Sequence, residues 1–252
     1  MKVLLITQAR IGSTRLPGKV LLPIGEGTLL SVHLKRVQKC STITDIVVAT
    51  TFEDGVDNLI SICRQNEVDY FQGSLEDVLD RFYQASKGYR PDWIVRVTSD
   101  CPLLDSRVVD QVVLKAIKSD VDYCANIITE DFPDGQDVEV FKFSVLERAW
   151  KEASLKSERE HVTPYIRNNS DLKGGKLFKA YDVKCHSNFN SIRMTVDERA
   201  DLKVIQRIID ELGANSTWEE YAEYINKHSD SIGNTNIVRN EGYLKSIIKD
   251  KS

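Results

Sequence analysis

Short, continuously apolar runs alternate along the chain with segments whose apolar residues recur at helical spacing. Four such runs predict buried strands in the first hundred residues: Val3–Thr7, Ile46–Thr50, Val68–Phe71 and Trp93–Val97. Amphipathic segments between them predict helices over Leu29–Val37, Val56–Gln65 and Leu75–Ala85. This alternation indicates an α/β protein with a mostly parallel sheet flanked by helices, and a ligand crevice at the carboxyl ends of the strands.

The pattern changes from about residue 121. Longer strand-like runs occur at Val138–Phe143 and Phe178–Val183, with a helical stretch at Ser144–Ala153 between them. A further strand, Ile192–Val196, precedes a helix over Glu198–Leu212. We expect a single domain over residues 1–252, in which residues 121–190 form a small strand-containing extension that serves as a lid or in dimerisation.

Composition narrows the class of protein. The net charge of -4 argues against general nucleic-acid binding, so a site for a polyanion has to be a local cluster of cations. The five cysteines are odd in number and none are at CxxC spacing, which argues against a zinc site or a disulfide framework. No apolar run approaches membrane-spanning length and no signal peptide is evident. We expect a cytoplasmic enzyme without a membrane partner.

A loop rich in cations and small residues follows the first strand. Within residues 8–19 it carries three fixed charges, Arg10, Arg15 and Lys19, together with Gly12 and the hydroxyls of Ser13 and Thr14. Arginine suits bidentate phosphate contacts, lysine acts as a point charge, and glycine lets backbone amides approach a ligand. A triphosphate would lie at this position of an α/β sheet, although a solvated basic turn is the alternative. The loop is neither a P-loop nor a dinucleotide fingerprint.

Several motifs in order resemble the sugar-acid cytidylyltransferases. The loop Ala9-Arg10-x-Gly12-Ser13-x-Arg15-Leu16-Pro17-Gly18-Lys19 is similar to the signature loop of CMP-Kdo and CMP-sialic acid synthetases, and most similar to the SpsF-like family of spore-coat polysaccharide biosynthesis. The resemblance runs nearly end to end through four further motifs: Gly73-Ser74-x-x-Asp77-Val78-Leu79-Asp80-Arg81, Arg96-Val97-Thr98-Ser99-Asp100-Cys101-Pro102, Glu160-His161-Val162-Thr163-Pro164-Tyr165 and Arg239-Asn240-Glu241-Gly242-Tyr243.

This resemblance implies a Rossmann-like, GT-A-like nucleotidyltransferase fold and transfer of CMP from CTP to a sugar. It also adds base or ribose contacts to the phosphate-binding loop. The predicted nucleotide-binding residues are Gln8, Ala9, Arg10, Gly12, Ser13, Thr14, Arg15, Lys19, Gly73, Ser74, Asp77 and Ser99. For Asp77 and Arg81, an ordinary i,i+4 surface pair is the alternative.

Two aspartates follow predicted strands and can meet in the crevice. Asp100 follows the strand at residues 93–97, and Asp197 follows Ile192–Val196. Magnesium usually takes one or two carboxylates plus substrate phosphates, so the pair predicts a Mg²⁺ site, although helix capping is the alternative for Asp197. Both match magnesium-binding positions of CMP-Kdo synthetases. The chain departs from its relatives at Cys101, where those enzymes usually carry glutamate, and at Thr195, where sialic acid synthetases carry a second aspartate.

Four residues are candidates for the sugar site. Asp137 and Glu139 share one face of a predicted strand, and acceptors of this kind bind hydroxyl-rich sugars. Arg159 and His161 form a pair that could hold a sugar carboxylate. A solvated edge strand and a structural histidine are the respective alternatives.

The predicted reaction joins CTP and a sugar into a CMP-sugar and pyrophosphate, with Arg10, Arg15, Lys19, Asp100 and Asp197 as the catalytic set. The sugar's hydroxyl would attack the α-phosphate in line. Three alternatives remain open at this point: another nucleoside triphosphate, a partner that binds a nucleotide-sugar without turnover, and a glycosyltransferase. The sequence identifies neither the sugar nor a general base, and a homodimer is possible.

Overall fold

A seven-stranded sheet forms the centre of the protein, whose computed structural model describes residues 1–229 and 239–250. The strands are β1 Val3–Gln8, β2 Pro23–Ile24, β3 Gly27–Thr28, β4 Asp45–Thr51, β5 Asp69–Gly73, β6 Trp93–Thr98, β7 Tyr123–Ala125, β8 Glu139–Lys142 and β9 Ala180–Asp182. The α-helices are α1 Leu29–Val37, α2 Val56–Gln65, α3 Val78–Lys87, α4 Ser106–Ser119, α5 Phe143–Glu152, α6 Lys156–His161, α7 Pro164–Asn168, α8 Arg199–Leu212, α9 Trp218–Lys227 and α10 Glu241–Asp250.

The sheet is mixed and mostly parallel, in the order β5-β4-β1-β6-β8-β7-β9. Strands β5, β4, β1 and β6 are parallel, and Leu5 of β1 pairs with Ile46 on one side and Val95 on the other. Strand β8 is antiparallel to both of its neighbours, and β9 is parallel to β7. The strands β2 and β3 form a separate hairpin. The predicted α/β architecture with a Rossmann-like sheet is therefore confirmed.

Helices cover both faces of the sheet because the strand side chains alternate between two cores. Val3 and Leu5 of β1 pack with residues of α1, α2, α4, α8 and α9, whereas Leu4 and Ile6 pack with residues of α3, α5 and α7. This period of two is the expected consequence of strand geometry, and burial on both faces explains why the first strands read as continuous apolar runs.

One predicted strand is wrong. Residues 192–196 are extended but belong to no strand, and Arg193 makes only an isolated bridge to Asp134. The segment pairs instead with a loop, since Asp134 N donates to Ile192 O at 2.9 Å. Gly135 makes this approach possible, because its φ is 106° and a Cβ there would lie 2.7 Å from the carbonyl carbon of Met194.

The extension predicted at residues 121–190 continues the same sheet. It contributes β7, β8 and β9 along one edge, together with α5, α6 and α7. Its two predicted strands are shorter than expected, because Phe143 already begins α5 and only residues 180–182 of the second run pair with β7. Across the described ranges, 1–229 and 239–250, no helix has the length and apolar character needed to cross a membrane.

A buried hydrogen-bond chain joins α1 to the ends of β1 and β6. His33 is completely buried, with Nδ1 lying 2.9 Å from the carbonyl oxygen of Cys101 and Nε2 lying 3.0 Å from Thr7 Oγ1. Because a carbonyl only accepts, Nδ1 carries the proton, and Nε2 accepts from the Thr7 hydroxyl. Ser99 Oγ completes the chain at 2.8 Å from Thr7 Oγ1. The neutral imidazole thereby fixes the backbone directly after Asp100.

From the buried hydrogen-bond chain of His33 we predict that the protein loses a defined amount of stability in acid. Burial lowers the pKa of His33 to about 4. A histidine whose pKa is depressed on folding stabilises the native state above its unfolded pKa, and this contribution is lost as the pH falls toward the folded pKa. We expect His33 alone to account for a loss of about 2–3 kcal/mol of unfolding free energy between pH 7 and pH 4.

The measurement is urea unfolding of the wild type, His33→Gln and His186→Gln across this pH range. The side chain of His186 is exposed, so His186→Gln is the control. We expect His33→Gln to be less stable at pH 7 and to have a shallower pH dependence. Identical slopes for His33→Gln and the wild type would contradict the prediction.

Candidate active site

The cation-rich loop lies at the carboxyl end of the parallel strands. It leaves β1 at Gln8 and closes on itself where Gly18 N donates to Ile11 O at 3.0 Å. The chain then enters a short 3-10 helix over Lys19–Leu21. This turn brings the lysine ammonium from the loop to the ends of two distant chain segments.

Lys19 holds the two predicted metal-binding aspartates together. Its Nζ lies 2.9 Å from Asp100 Oδ2 and 3.0 Å from Asp197 Oδ1, and it also donates to Val196 O at 2.9 Å. An ammonium has three hydrogen-bond donors, so all three are used. The structure thus brings Lys19, Asp100 and Asp197 into one cluster.

The cluster is strongly ionic. Burial alone would lower the pKa of Lys19, but the carboxylates of Asp100 and Asp197 outweigh it and raise that pKa above its ordinary value. Burial would likewise raise the pKa of Asp100, but the charge of Lys19, together with hydrogen bonds from Thr98 and Lys19, holds that pKa well below its ordinary value. Asp100 is therefore ionised at neutral pH.

Asp197 is surrounded by cations and does not cap α8 through its side chain. Arg15 Nη2 lies 2.9 Å from Asp197 Oδ1, and Arg193 Nη2 donates to Asp197 Oδ2 at 2.8 Å. The capping acceptor is Asp201, whose Oδ2 accepts from the backbone amides of Asp197 and Glu198 at 2.8 and 2.9 Å. The Asp197 carboxylate therefore faces Lys19, Arg15 and Arg193, and it does not face the backbone amides at the start of α8.

Two cavities meet at this cluster. The first cavity, of about 470 Å³, lies along the cation-rich loop and the start of α3. The second cavity, of about 250 Å³, lies between β6, β8, α7 and the start of α10. Six residues line both cavities: Gln8, Arg15, Thr98, Asp100, His161 and Asp197. A ligand in either cavity can therefore reach the same pair of carboxylates.

Most of the predicted nucleotide-binding residues line the first cavity. They are Gln8, Ala9, Arg10, Ser13, Thr14, Arg15 and Lys19. The Gln8 side-chain oxygen is buried without a hydrogen-bond partner in the described part of the chain. An acceptor in this condition is available to a ligand that carries a donor.

Five predicted nucleotide-binding residues lie outside the cavity lining: Gly12, Gly73, Ser74, Asp77 and Ser99. Ser99 is buried in the hydrogen-bond chain of His33. Asp77 caps α3, with Oδ1 accepting from Asp80 N at 2.9 Å. The Gly12 amide, expected to face a ligand, donates to Glu53 Oε2 at 2.7 Å. Their predicted contacts with a nucleotide remain untested.

The second cavity contains three of the four predicted sugar-binding residues: Asp137, Glu139 and His161. The Glu139 carboxylate is already occupied, since it accepts from Arg96 Nη1 at 2.5 Å and from the Tyr123 hydroxyl at 2.5 Å. The fourth residue, Arg159, is not in the cavity lining. Its Nε donates to Asp77 Oδ2 at 2.7 Å, so it links α6 to the start of α3.

Sequence reasoning missed an arginine that lines the second cavity. The Arg167 guanidinium lies 4.9 Å from the centroid of the Tyr243 ring. Arg15, Arg96 and Arg193, which also line this cavity, make salt bridges, whereas Arg167 makes none to any residue in the ranges 1–229 and 239–250. The one signal for Arg167 in the sequence is its position six residues after His161, just beyond Pro164.

The segment that begins α10 closes the second cavity. Arg239 pairs with Asp137 and donates from Nη1 to Phe132 O at 3.0 Å. Glu241 Oε2 lies 3.4 Å from Arg15 Nη1, which ties α10 to the cation-rich loop. The resemblance included this segment as a motif, but residue chemistry alone assigned it no role.

Two titratable groups of the second cavity are shifted in opposite ways. Burial, reinforced by Arg96 and Arg167, lowers the pKa of His161 to about 4, so its imidazole is neutral at neutral pH. Its Nε2 is buried without a protein partner in the described chain. Burial raises the pKa of Asp137 to about 7, against the opposing charge of Arg239. The cavity thus offers a neutral imidazole and a carboxylate that titrates near neutral pH.

The residues of the cluster fit a divalent cation bound with a substrate. Asp100 Oδ1 lies 3.6 Å from the Cys101 thiol, and the carboxylate also accepts from Thr98 and Lys19. A carboxylate offers about four acceptor positions, so acceptor capacity remains. In the described parts of the chain, no group of three or more metal-ligating side chains comes together. Mg²⁺ commonly uses one or two carboxylates and completes its shell with phosphate oxygens and water, which this donor set allows.

Comparisons with known proteins agree with this geometry. A profile of a family described as cytidylyltransferase matches residues 4–226. The chain is 41% identical over 206 residues to an uncharacterised protein of Methanocaldococcus jannaschii, covering 81% of this chain and 82% of that protein. It is 31% identical over 218 residues to the spore coat polysaccharide biosynthesis protein SpsF of Bacillus subtilis, covering 84% of this chain and 88% of that protein.

A solved structure extends the likeness to the whole fold. A cytidylyltransferase from Leptospira borgpetersenii serovar Hardjo-bovis superposes with a TM-score of 0.87 at 33% identity, covering 95% of this chain and 100% of that chain. The resemblance noted in the sequence motifs is thereby confirmed. The chain is a nucleotidyltransferase and belongs to the cytidylyltransferase family.

Proposed function

We propose that this cytidylyltransferase transfers CMP from CTP to a sugar acid, releasing pyrophosphate, in the biosynthesis of a surface polysaccharide. The observation that carries the proposal is the meeting of two cavities at Lys19, Asp100 and Asp197. One cavity is lined by the cations of the phosphate loop, and the other is walled by arginine and carboxylate side chains. The name of the Bacillus subtilis relative supports the polysaccharide role.

The nucleotide occupies the first cavity, with its triphosphate along Arg10, Arg15 and Lys19. Arg15 and Lys19 reach the carboxylate cluster, so the α-phosphate lies at the boundary between the cavities. Arginine and lysine donors at this point offset charge on the transferring phosphoryl group and on the departing pyrophosphate. Asp100 and Asp197 would hold Mg²⁺, which supplies Lewis-acid stabilisation of the same charge.

The sugar occupies the second cavity, from which its hydroxyl attacks the α-phosphate in line with the leaving pyrophosphate. Arg167 is the cavity arginine without a salt bridge among the described residues, although Tyr243 is hydrogen-bonded to it and Glu139 acts on it electrostatically. We assign it to the substrate carboxylate. An arginine fork matches a carboxylate bidentately. Neutral His161 and the Asp137 carboxylate supply hydrogen bonds for hydroxyl groups.

The two cluster aspartates should be required for turnover more than for binding. We expect Asp100→Asn and Asp197→Asn each to lower kcat by about a hundredfold to a thousandfold, because a neutral amide replaces an anionic ligand while nearly all of the side-chain shape is kept. Pyrophosphate release is measured against Mg²⁺ concentration, with Asp57→Asn at an exposed position of α2 as the control. A near-normal kcat with unchanged Mg²⁺ dependence would remove that aspartate from the proposed metal site.

The loop cations should determine affinity for the triphosphate. We expect Arg15→Ala and Lys19→Ala each to weaken CTP binding by about 1.5–3 kcal/mol, the usual cost of losing a hydrogen bond to a charged group. Titration calorimetry measures the affinity, and thermal unfolding shows whether each variant is folded. Lys203→Ala on α8, outside both cavities, is the control. If both loop variants bind CTP as the wild type does, the loop is not the triphosphate site.

Arg167 should discriminate sugar acids from neutral sugars. We expect Arg167→Gln to raise KM for an accepted sugar acid about tenfold to a hundredfold while leaving KM for CTP unchanged. Arg148→Gln on the exposed face of α5 is the matched control. The substrate panel contains 3-deoxy-octulosonic acid, a nonulosonic acid and the same sugars with an amidated carboxyl. Equal use of the acid and amide forms by the wild type contradicts the assignment.

A further inference from the structure

The second cavity takes part of its wall from a segment that the cytidylyltransferase profile does not include. That profile matches residues 4–226, whereas the cavity is also lined by Asn240, Glu241 and Tyr243, at the start of α10. The surface that faces a substrate in this cavity is therefore set partly by residues outside the region matched to the family.

Helix α10 is held at both of its ends. Just before it begins, Arg239 pairs with Asp137, which also lines the second cavity. At its last residue, Asp250 Oδ1 accepts from the backbone amide of Ser157 at 3.1 Å, which holds the helix against the first turn of α6. Tyr243 lies between these two anchors, so the helix carries its ring at a defined place in the cavity wall.

Tyr243 contacts two side chains that line the same cavity, one from α6 and one from α7. Its ring lies edge-on to the His161 imidazole, with 5.3 Å between the ring centroids. The Arg167 guanidinium lies 4.9 Å from the centroid of the Tyr243 ring, and the tyrosine side chain is also hydrogen-bonded to it. A guanidinium within about 6 Å of an aromatic centroid is attracted by the π face of the ring.

Arg167 has no carboxylate partner that would hold its guanidinium in one orientation. It makes no salt bridge within the ranges 1–229 and 239–250, and the nearby Glu139 carboxylate is already bonded to Arg96 and Tyr123. A long arginine side chain that is free to move loses conformational entropy when it binds an anion. A ring that holds the guanidinium beforehand removes part of this cost, which is the effect expected of Tyr243.

We propose that Tyr243 is a positioning residue, which holds the Arg167 guanidinium in the orientation that binds the carboxylate of the sugar acid. This inference rests on the proposed function, in which Arg167 takes that carboxylate. Tyr243 lines the second cavity and is absent from the lining of the first, so it does not act on the triphosphate. Removal of its ring weakens binding of the acid without slowing the chemical step.

The test is a double-mutant cycle of Tyr243→Leu and Arg167→Gln, with Leu244→Ala at an exposed position of α10 as the control. KM and kcat are measured for CTP and for 3-deoxy-octulosonic acid or a nonulosonic acid, whichever the wild type accepts. We expect Tyr243→Leu to raise KM for the acid about threefold to thirtyfold, with kcat and KM for CTP unchanged. In the Arg167→Gln background it should change KM by less than about twofold, because the residue through which Tyr243 acts is gone.

Tyr243→Phe is carried through the same cycle, because it is close in shape to the wild-type residue and stays measurable if Tyr243→Leu fails to fold. It keeps the ring and loses the hydroxyl, so we expect a smaller rise in KM for the acid than with leucine. This rise should also disappear in the Arg167→Gln background.

Additive effects of the Tyr243 and Arg167 substitutions overturn the inference, since Tyr243 would then contact the substrate independently. An unchanged KM for the acid in both Tyr243 variants overturns it as well. So does an equal loss in kcat or in KM for CTP, which would assign Tyr243 a general structural role. If the wild type turns over no sugar acid, the proposed function itself is contradicted, and this inference falls with it.

Discussion

The contact of one lysine with two carboxylates is the interaction on which the rest of the site depends. Asp100 and Asp197 are 81 and 178 positions from Lys19 in sequence, and two ionised carboxylates at this separation would repel without a shared cation. All three donors of Lys19 are committed to this contact and to Val196 O. Lys19 can therefore donate to a phosphate only when another group takes over one of its bonds, which couples nucleotide binding to neutralisation of the carboxylates.

Two polar networks, one around His33 and one around Arg193, hold the chain segments that carry Asp100 and Asp197 in place. Below it, buried neutral His33 bonds the carbonyl of Cys101, and so fixes the chain after Asp100. Beside it, Arg193 spans Asp134, Asp197 and Asp201, which holds the extended segment after Ile192 against the neighbouring loop. Both supports are buried or half-buried polar networks. Such networks rigidify a site when every member is satisfied, and they are costly when one partner is lost.

Sequence reasoning predicted the parallel strands and the phosphate loop because both are local features. A strand buried on both faces is apolar throughout. The cation-rich loop follows the first of these strands directly in the sequence, so its position could be predicted as well. The position of Arg167, rather than Arg159, in the second cavity depends instead on a turn that the sequence pattern does not predict. Val162 has a φ of 72°, unusual for a β-branched residue, and Pro164 starts a new helix after it. This change of direction leaves Arg159 at Asp77 and brings Arg167 into the second cavity.

The two cluster aspartates are not equivalent, although the sequence presents them as a pair. Asp197 accepts from Lys19, Arg15 and Arg193, so both of its oxygens are engaged by cations. Asp100 accepts from Lys19 and Thr98 and has a weak thiol contact at Oδ1, and among the described residues its salt bridge is to Lys19. Fewer protein cations therefore engage Asp100 than Asp197 among the described residues. Under the proposed function, Asp197 would have to release at least one of these three cations before it could bind Mg²⁺, so the two aspartates would enter the metal site differently.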